Sequence, residues 1–220
     1  MAEVIVPLPV GDTEIRVAVD DDYLRTSEKV PKLHGVVAAG LPATNRLAEG
    51  FFSEADVKRI ALGLPWQDTH LQVQLMRNLE SLDFTQAEWE EGRPQVAKAL
   101  GVIDINALLE KDAGVDARMS AAAGFKMSSK FGQLSTPELY ESEGSSLRFV
   151  VLLPISVEAA GKSEQVTLEC AGAVVRLSSK LVYLFAYRQH VDGNDTTEVR
   201  AALDLFVDRA IALNPDAPAS

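Results

Sequence analysis

The sequence predicts an α+β fold, an antiparallel β-sheet covered by helices. Three stretches carry that expectation. Ile15, Val17 and Val19 alternate with Glu14, Arg16 and Ala18, the pattern of a strand with one buried side. Residues 149–187 supply consecutive apolar strands joined by short turns. Val199, Leu203, Phe206, Val207, Ala210 and Ile211 form one apolar stripe of a closing helix. The strands outnumber the helices and run consecutively, which argues against a βαβ dinucleotide fold.

Each element has its own local signal. Residues 4–10 are extended, and Pro7 and Pro9 favour a sheet edge. Gly11-Asp12 is a turn, and Asp20-Asp21-Asp22 ends the next strand. Residues 26–43 read as a long apolar loop punctuated by Pro31, Gly35, Gly40 and Pro42. Leu47 to Phe52 is a short strand with Gly50 at a bulge. Ser53 with Asp56 caps a helix whose stripe is Val57, Ile60, Ala61 and Leu64, ended by Gly63 and Pro65. Residues 70–77 alternate as a strand, although Leu71, Leu75, Leu79 and Leu82 also fit a helix. Thr85 with Glu88 opens a helix holding Trp89, Val96 and Leu100, which Gly92 and Pro94 should kink or split. Asp104 caps a third helix.

Residues 112–146 show little periodicity, with weak strand character at Phe125, Met127 and Phe131. Pro154 marks the end or edge of the strand that starts near Phe149. In the next strand Gly172 is placed at a bulge. Ser178-Ser179-Lys180 forms a solvated hairpin tip, and the strand to Tyr187 is apolar on both faces, hence central. Asp195 with Glu198 caps the last helix, which Asn214-Pro215 stops. The organisation is a single domain over residues 1–220, enlarged by a middle insertion around 112–146 and closed by a mobile tail at 215–220.

Composition removes several function classes. The chain has 220 residues, 21 Lys and Arg against 32 Asp and Glu, and a net charge of −11. No cluster of Lys and Arg offers a surface for phosphates, so nucleic acid is not an expected partner. The longest uncharged stretches, 35–45 and 149–157, are short of the roughly 20 apolar residues of a membrane span. No membrane insertion is expected. Cys170 stands alone, so no internal disulfide can form.

Catalytic motifs are not apparent. His34, His70 and His190 lie far apart, without zinc-site spacing, so no metal is expected. Cys170 falls in an apolar strand and reads as a structural thiol; His190 reads as an exposed strand-end residue. Gly161-Lys162-Ser163 ends like a phosphate loop, but it leads into a strand and reads as a turn. Asp20–Asp22 and Asp192, Asn194 and Asp195 lack calcium-loop spacing. No catalytic residue and no cofactor are assigned. The candidate partner contacts are Leu41 in the 31–43 loop, and Leu64 and Trp66 in the Leu64-Pro65-Trp66-Gln67 loop, where an exposed aromatic can anchor a partner.

The stretch Ala173 to Tyr187, its Ser178-Ser179-Lys180 turn and the capped terminal helix together resemble the ending of the PsbP-like superfamily. That superfamily includes bacterial DcrB-type proteins and the Ran-binding import factor. Ile15 to Val19 followed by Asp21-Asp22-Tyr23 is similar to its opening. Asn45 to Glu54 and Leu181 to Tyr187 resemble segments of uncharacterised proteobacterial exported proteins. The similarity covers residues 12–111 and 147–214, and the middle section is longer than in the small members.

The resemblance implies a PsbP-like α/β/α sandwich that binds or assembles other proteins without catalytic residues. The expected function is a protein-binding module of the bacterial cell envelope: an assembly factor, a chaperone or an immunity-type inhibitor. Its partner is another protein, basic to suit the acidic surface. The alternative is an enzyme or small-ligand binder with a site between the sheet and the 112–146 segment. A periplasmic location is expected, with the export signal absent from this sequence; the alternative is cytoplasmic.

Overall fold

The computed structural model describes residues 2–100, 114–133, 135–141, 144–159, 161–191 and 195–215. Its architecture is α+β, as the sequence predicts. A two-stranded hairpin, β1 (Glu3–Val10) and β2 (Thr13–Asp20), accompanies an eight-stranded antiparallel sheet. That sheet contains β3 (Tyr23–Arg25), β4 (Asn45–Ser53), β5 (His70–Met76), β6 (Met127–Phe131), β7 (Glu138–Glu141), β8 (Ser146–Ala159), β9 (Lys162–Leu177) and β10 (Lys180–Gln189). The order is β3-β4-β5-β10-β9-β8-β6, with β7 also on β8. The helices are α1 (Thr26–Lys29), α2 (Pro31–Gly40), α3 (Glu54–Ala61), α4 (Gln86–Leu100), α5 (Val115–Ala123) and α6 (Thr197–Leu213). The expected helix at Asp104, the Asp192–Asn194 turn and the tail from 216 lie outside the described residues.

One face of the sheet is sealed. Val182, Leu184 and Ala186 of β10 and Ala171, Ala173 and Val175 of β9 are buried beneath Val199, Leu203, Phe206, Val207 and Ala210 of α6. The hairpin adds Val6, Leu8, Val10, Ile15, Val17 and Val19 to the same core. Ala18, expected to point away, is buried as well. Helix α6 is locked to the hairpin by Asn214. Its amide accepts from Arg16 N–H (2.9 Å) and donates to the Arg16 carbonyl (2.6 Å), as a neighbouring strand would. The opposite face holds a second core, with Trp89 of α4 on Leu147, Phe149 and Val151 of β8 and on Cys170 and Val174 of β9.

Two edges, β1 of the hairpin and β6 of the larger sheet, are blocked by identifiable devices. Asp21 N–H donates to the Ala2 carbonyl, so by alternation Ile5, Pro7 and Pro9 point their backbone away from β2. Prolines therefore occupy two positions where a donor would face outward. At the other edge Ser120 of α5 bonds both backbone groups of Met127, at 2.9 and 3.0 Å. Asp116 of the same helix accepts from Ser129 N–H at 3.1 Å.

Several expectations are corrected. Residues 26–43 are not a loop: α1 and α2 occupy most of the segment. Pro31 sits in the first turn of α2, where a missing N–H costs nothing. Gly35 and Gly40 of α2 lie against Ala122 and Met119 of α5, so tertiary packing stabilises a helix that its glycines disfavour. Helix α4 keeps its Thr85–Glu88 capping box and runs unbroken through Pro94. Pro94 and Glu90 are both exposed, so the carbonyl that Pro94 leaves unbonded can take water. Strand β8 continues past Pro154. The Pro154 carbonyl accepts from Gly132 (2.7 Å), so its missing N–H points the same way, where β6 has ended.

The β4 bulge lies between Leu47 and Glu49, not at Gly50; a Cβ on Gly50 would meet Thr26 Oγ1 at 2.9 Å. Lys180 is not solvated. Its side chain is 1% exposed, with Nζ 2.9 Å from Asp12 and 3.0 Å from Asp83, which hold its charge on and raise its pKa. Gly172 is not a bulge either, because β9 pairs continuously with β8 and β10. It sits opposite Phe149 and Phe185, and a Cβ there would lie 2.5 Å from one ring and 2.8 Å from the other. Gly172→Ala is therefore expected to destabilise the fold by about 2 kcal/mol through overpacking. Urea denaturation measures it, and adding Phe149→Leu should recover part of the loss.

Candidate functional site

The α3–β5 connection is built around a buried carboxylate. Ser53 Oγ accepts from Asp56 N–H at 3.1 Å, capping α3, and donates to Asp68 at 2.6 Å. Asp56, 1% exposed, accepts from the N–H groups of Gln67 and Asp68 at 2.8 Å each. One side chain thus fixes the far end of the loop to the start of the helix. Gly63 takes a φ of +71° after the helix, and Arg59 bonds the Pro65 carbonyl at 2.8 Å.

The expected α3 stripe does not seal onto a core. Val57 and Ile60 are half-buried, Ala61 is exposed, and Asp56 is the helix's buried residue. Leu62 is 77% exposed and Leu64 47% exposed. Of the predicted contacts, Leu64 and Trp66 share this connection. Leu41 ends α2 instead and is half-buried, its carbonyl accepting from Arg118 of α5 at 3.0 Å.

Trp66 is half-buried and packs edge-to-face with His70, with ring centres 5.2 Å apart at 86°. His70 is stacked between Phe52 (4.5 Å) and Tyr187 (5.0 Å). Phe185 stacks on Tyr187 at 5.7 Å and meets Phe149 edge-on at 6.4 Å. An aromatic band therefore crosses β4, β5, β10 and β8. Beside it, buried Gln74 donates to buried Gln72 at 2.9 Å. Burial lowers the pKa of His70 to about 3, so it is neutral. Its Nδ1 and the Trp66 indole N–H are buried without a hydrogen-bond partner.

On the other side of the loop lies a depression of about 380 Å³, lined by Asp20, Asp22, Tyr23, Asp68, Arg188 and Glu198 among others. Arg188 pairs with Glu198, and Asp20 with Arg209. Asp22 and Asp68 form no ion pair among the described residues. Tyr23 donates to the Thr69 carbonyl at 2.8 Å; burial first, then the field of Asp22 and Asp68, raises its pKa.

The remaining reactive groups are engaged in the fold. Cys170 is buried, which pushes its thiol up to about 12, far from a nucleophile's range. His190, expected to be exposed, is half-buried at 2.8 Å from the buried Glu169. His34 bonds Thr26 at 2.9 Å. Among the described residues no three His, Cys, Asp or Glu side chains are grouped to hold a metal. No described helix is long and apolar enough to cross a membrane. Sequence reading did not single out His70, Gln72 and Gln74. The available signal was three polar residues at alternate positions of one strand.

No protein-family model matches the chain, and no curated protein matches it. Among solved structures, a variant of the protein Mog1 is 12% identical with a TM-score of 0.41, covering 97% of this chain and 95% of that one. The Saccharomyces cerevisiae Ran-binding protein Mog1p is 11% identical with a TM-score of 0.40, covering 97% and 100%. Similarity at this level assigns neither a family nor an activity.

The site makes stability depend on pH. Unfolded His70 takes up a proton below about 6.5, whereas the folded group stays neutral down to about 3. The unfolded state binds more protons in that window, so stability falls as pH falls. His70 is expected to lower stability by roughly 2 kcal/mol at pH 5 relative to pH 8. Urea midpoints of the wild type and of His70→Phe, across this range, check it: the variant should lose that part of the slope.

Proposed function

We propose that the chain is a non-enzymatic protein-binding module of the bacterial cell envelope, acting as an assembly factor, chaperone or immunity-type inhibitor. The contact surface is the α3–β5 connection. One observation carries the reading: Leu62 and Leu64 are 77% and 47% exposed on a loop whose ends are fixed by Asp56. Two adjacent leucines held out to solvent on a pinned loop are pre-organised for contact, because little loop entropy is lost on docking. Trp66 stands behind them as the aromatic anchor. Leu41 belongs to the α2–α5 side and is left out of this surface.

The partner is basic. The chain carries a net charge of −11, and the depression beside the loop has four carboxylates against one arginine. Such a field accelerates encounter with a cationic surface. The envelope assignment follows from the resemblance of the C-terminal third to PsbP-like proteins.

A photo-crosslinking residue at Leu62, used in the native source, should yield one discrete adduct with a basic protein. Leu64→Glu should weaken capture about tenfold or more, as for an interface anchor. Its folding stability should stay within about 0.5 kcal/mol, because the side chain is exposed. An adduct unaffected by Leu64→Glu, or no adduct, overturns this surface. Trp66→Ala should also weaken capture, and collapse of the fold would place Trp66 in the core.

A further inference from the structure

The β8–β9 hairpin runs beyond its neighbours in the sheet. The two strands pair from Ser146 and Val175 out to Ala159 and Lys162, whereas the pairing of β9 with β10 stops at Leu168. Farther out β6, from the 112–146 segment, continues the sheet by pairing Met127 to Phe131 with Ala159 to Ile155. Three strands thus end together in the order β6, β8, β9. Their register puts Ser128, Glu158 and Ser163 in one row. Lys126 leads into β6 and Lys162 opens β9, so a lysine comes from the strand on either side of Glu158. Strands lie about 4.8 Å apart, which separates β6 from β9 by about 10 Å. Gly161 turns the hairpin with a φ of +78°. Together these residues line a depression of about 310 Å³ between the sheet and the 112–146 segment.

The charges around this depression are unmatched. The chain is acidic, with a net charge of −11, and most cations packed into its fold are paired. Arg148 meets Asp204 and Asp208, Arg188 meets Glu198, Arg200 meets Glu138, and Lys180 meets Asp12 and Asp83. Lys126, Lys162 and Glu158 form no ion pair among the described residues, although they border one space. The hydroxyls of Ser128 and Ser163 form no hydrogen bond to the chain among the described residues either. Each can donate and accept.

We infer that this depression binds a small acidic amino acid, a dicarboxylate carrying one ammonium group. Its two carboxylates take Lys126 and Lys162, and its ammonium takes Glu158. Ser128 and Ser163 bond the carboxylate oxygens that remain. Two positive charges and one negative charge on the protein then meet two negative and one positive on the ligand. A plain dicarboxylate would leave Glu158 without a cation, and a neutral amino acid would leave one lysine without an anion. The volume stands at the lower end of ligand pockets, roughly 300–1,000 Å³, which suits a metabolite and not a large cofactor. Each exposed ion pair contributes little alone, so selectivity comes from meeting all three charges at once. The site shares no residue with the α3–β5 connection and does not depend on the protein-binding reading.

The test titrates the full chain with L-glutamate, with glutarate, which lacks the ammonium, and with L-glutamine, which lacks one carboxylate. Proton–nitrogen NMR follows the binding. L-glutamate should give saturable shifts at residues 126–128 and 161–163, and the other two should bind about fivefold more weakly or worse. Lys126→Gln and Lys162→Gln should each weaken L-glutamate about fivefold. Glu158→Gln should weaken L-glutamate by a similar factor without weakening glutarate, which general attraction to lysines would not produce. All three side chains are exposed, so the variants should keep the wild-type thermal unfolding transition. Absence of saturable shifts at these residues overturns the inference. So does equal affinity for glutarate, or a Glu158→Gln variant that binds L-glutamate as the wild type does.

Discussion

The burial of α6 against the middle of the sheet is the interaction on which the other features rest. Small residues make it possible. Ala171, Ala173 and Ala186 flatten the centre of β9 and β10, so Phe206, Leu203 and Val207 can close onto them. At about 25 cal/mol per Å² of buried apolar surface, such a face supplies a large share of a domain's stability. Asn214 then carries the helix position into the hairpin through Arg16. Lys180, held between Asp12 and Asp83, fixes the hairpin's tip to the turn between β9 and β10. Because one face is secured in this way, the other can carry buried polar side chains such as His70, Gln72 and Gln74 beside its own core without loss of the fold.

The same logic governs how this protein can meet a partner. Strand addition needs free backbone groups along an edge. Pro7 and Pro9 remove two donors from the outer side of β1, and Ser120 and Asp116 engage those of β6. Strand addition at these two edges is thereby disfavoured. The α3–β5 connection presents Leu62 and Leu64, and the buried Asp56 keeps them presented. A carboxylate inside a loop would be unfavourable on its own. Two backbone N–H bonds offset its desolvation and give the loop a fixed shape.

Much of this was legible in the sequence, and the gaps have physical causes. Alternation located β2, β5 and the β8 to β10 run, because a half-buried strand must place every second residue inside. Capping chemistry located the starts of α3 and α4, since Ser53 and Thr85 act on their own neighbours. Errors arose where a local rule met a distant contact. Helix α2 contains two glycines and a proline, and only its packing on α5 makes it helical. Pro154 reads as a strand end or an edge, and the choice between them depends on the sheet order, which leaves its outward side beside Gly132 past the end of β6. Gly172 looked like a bulge because two phenylalanines that require its missing Cβ lie 23 and 13 residues away in sequence.

The candidate sites follow the same division. Leu64 and Trp66 could be singled out because a helix stop followed by an aromatic in a loop is a local pattern. Leu41 reads as a loop residue, and the structure places it at a helix end whose carbonyl accepts from Arg118 of α5. The aromatic band could not be read at all, since Phe52, His70, Tyr187 and Phe149 belong to four strands whose adjacency only the sheet order creates. Yet β5 held a conflict visible in advance. A strand apolar enough to be interior carries His70, Gln72 and Gln74 on one side, where Leu or Val would pack better. Stability gains nothing from three buried polar side chains, two of which satisfy each other while the third keeps an unmet nitrogen. Such a conflict between burial and polarity is where sequence-level packing rules stop being a guide to which side chains a strand carries.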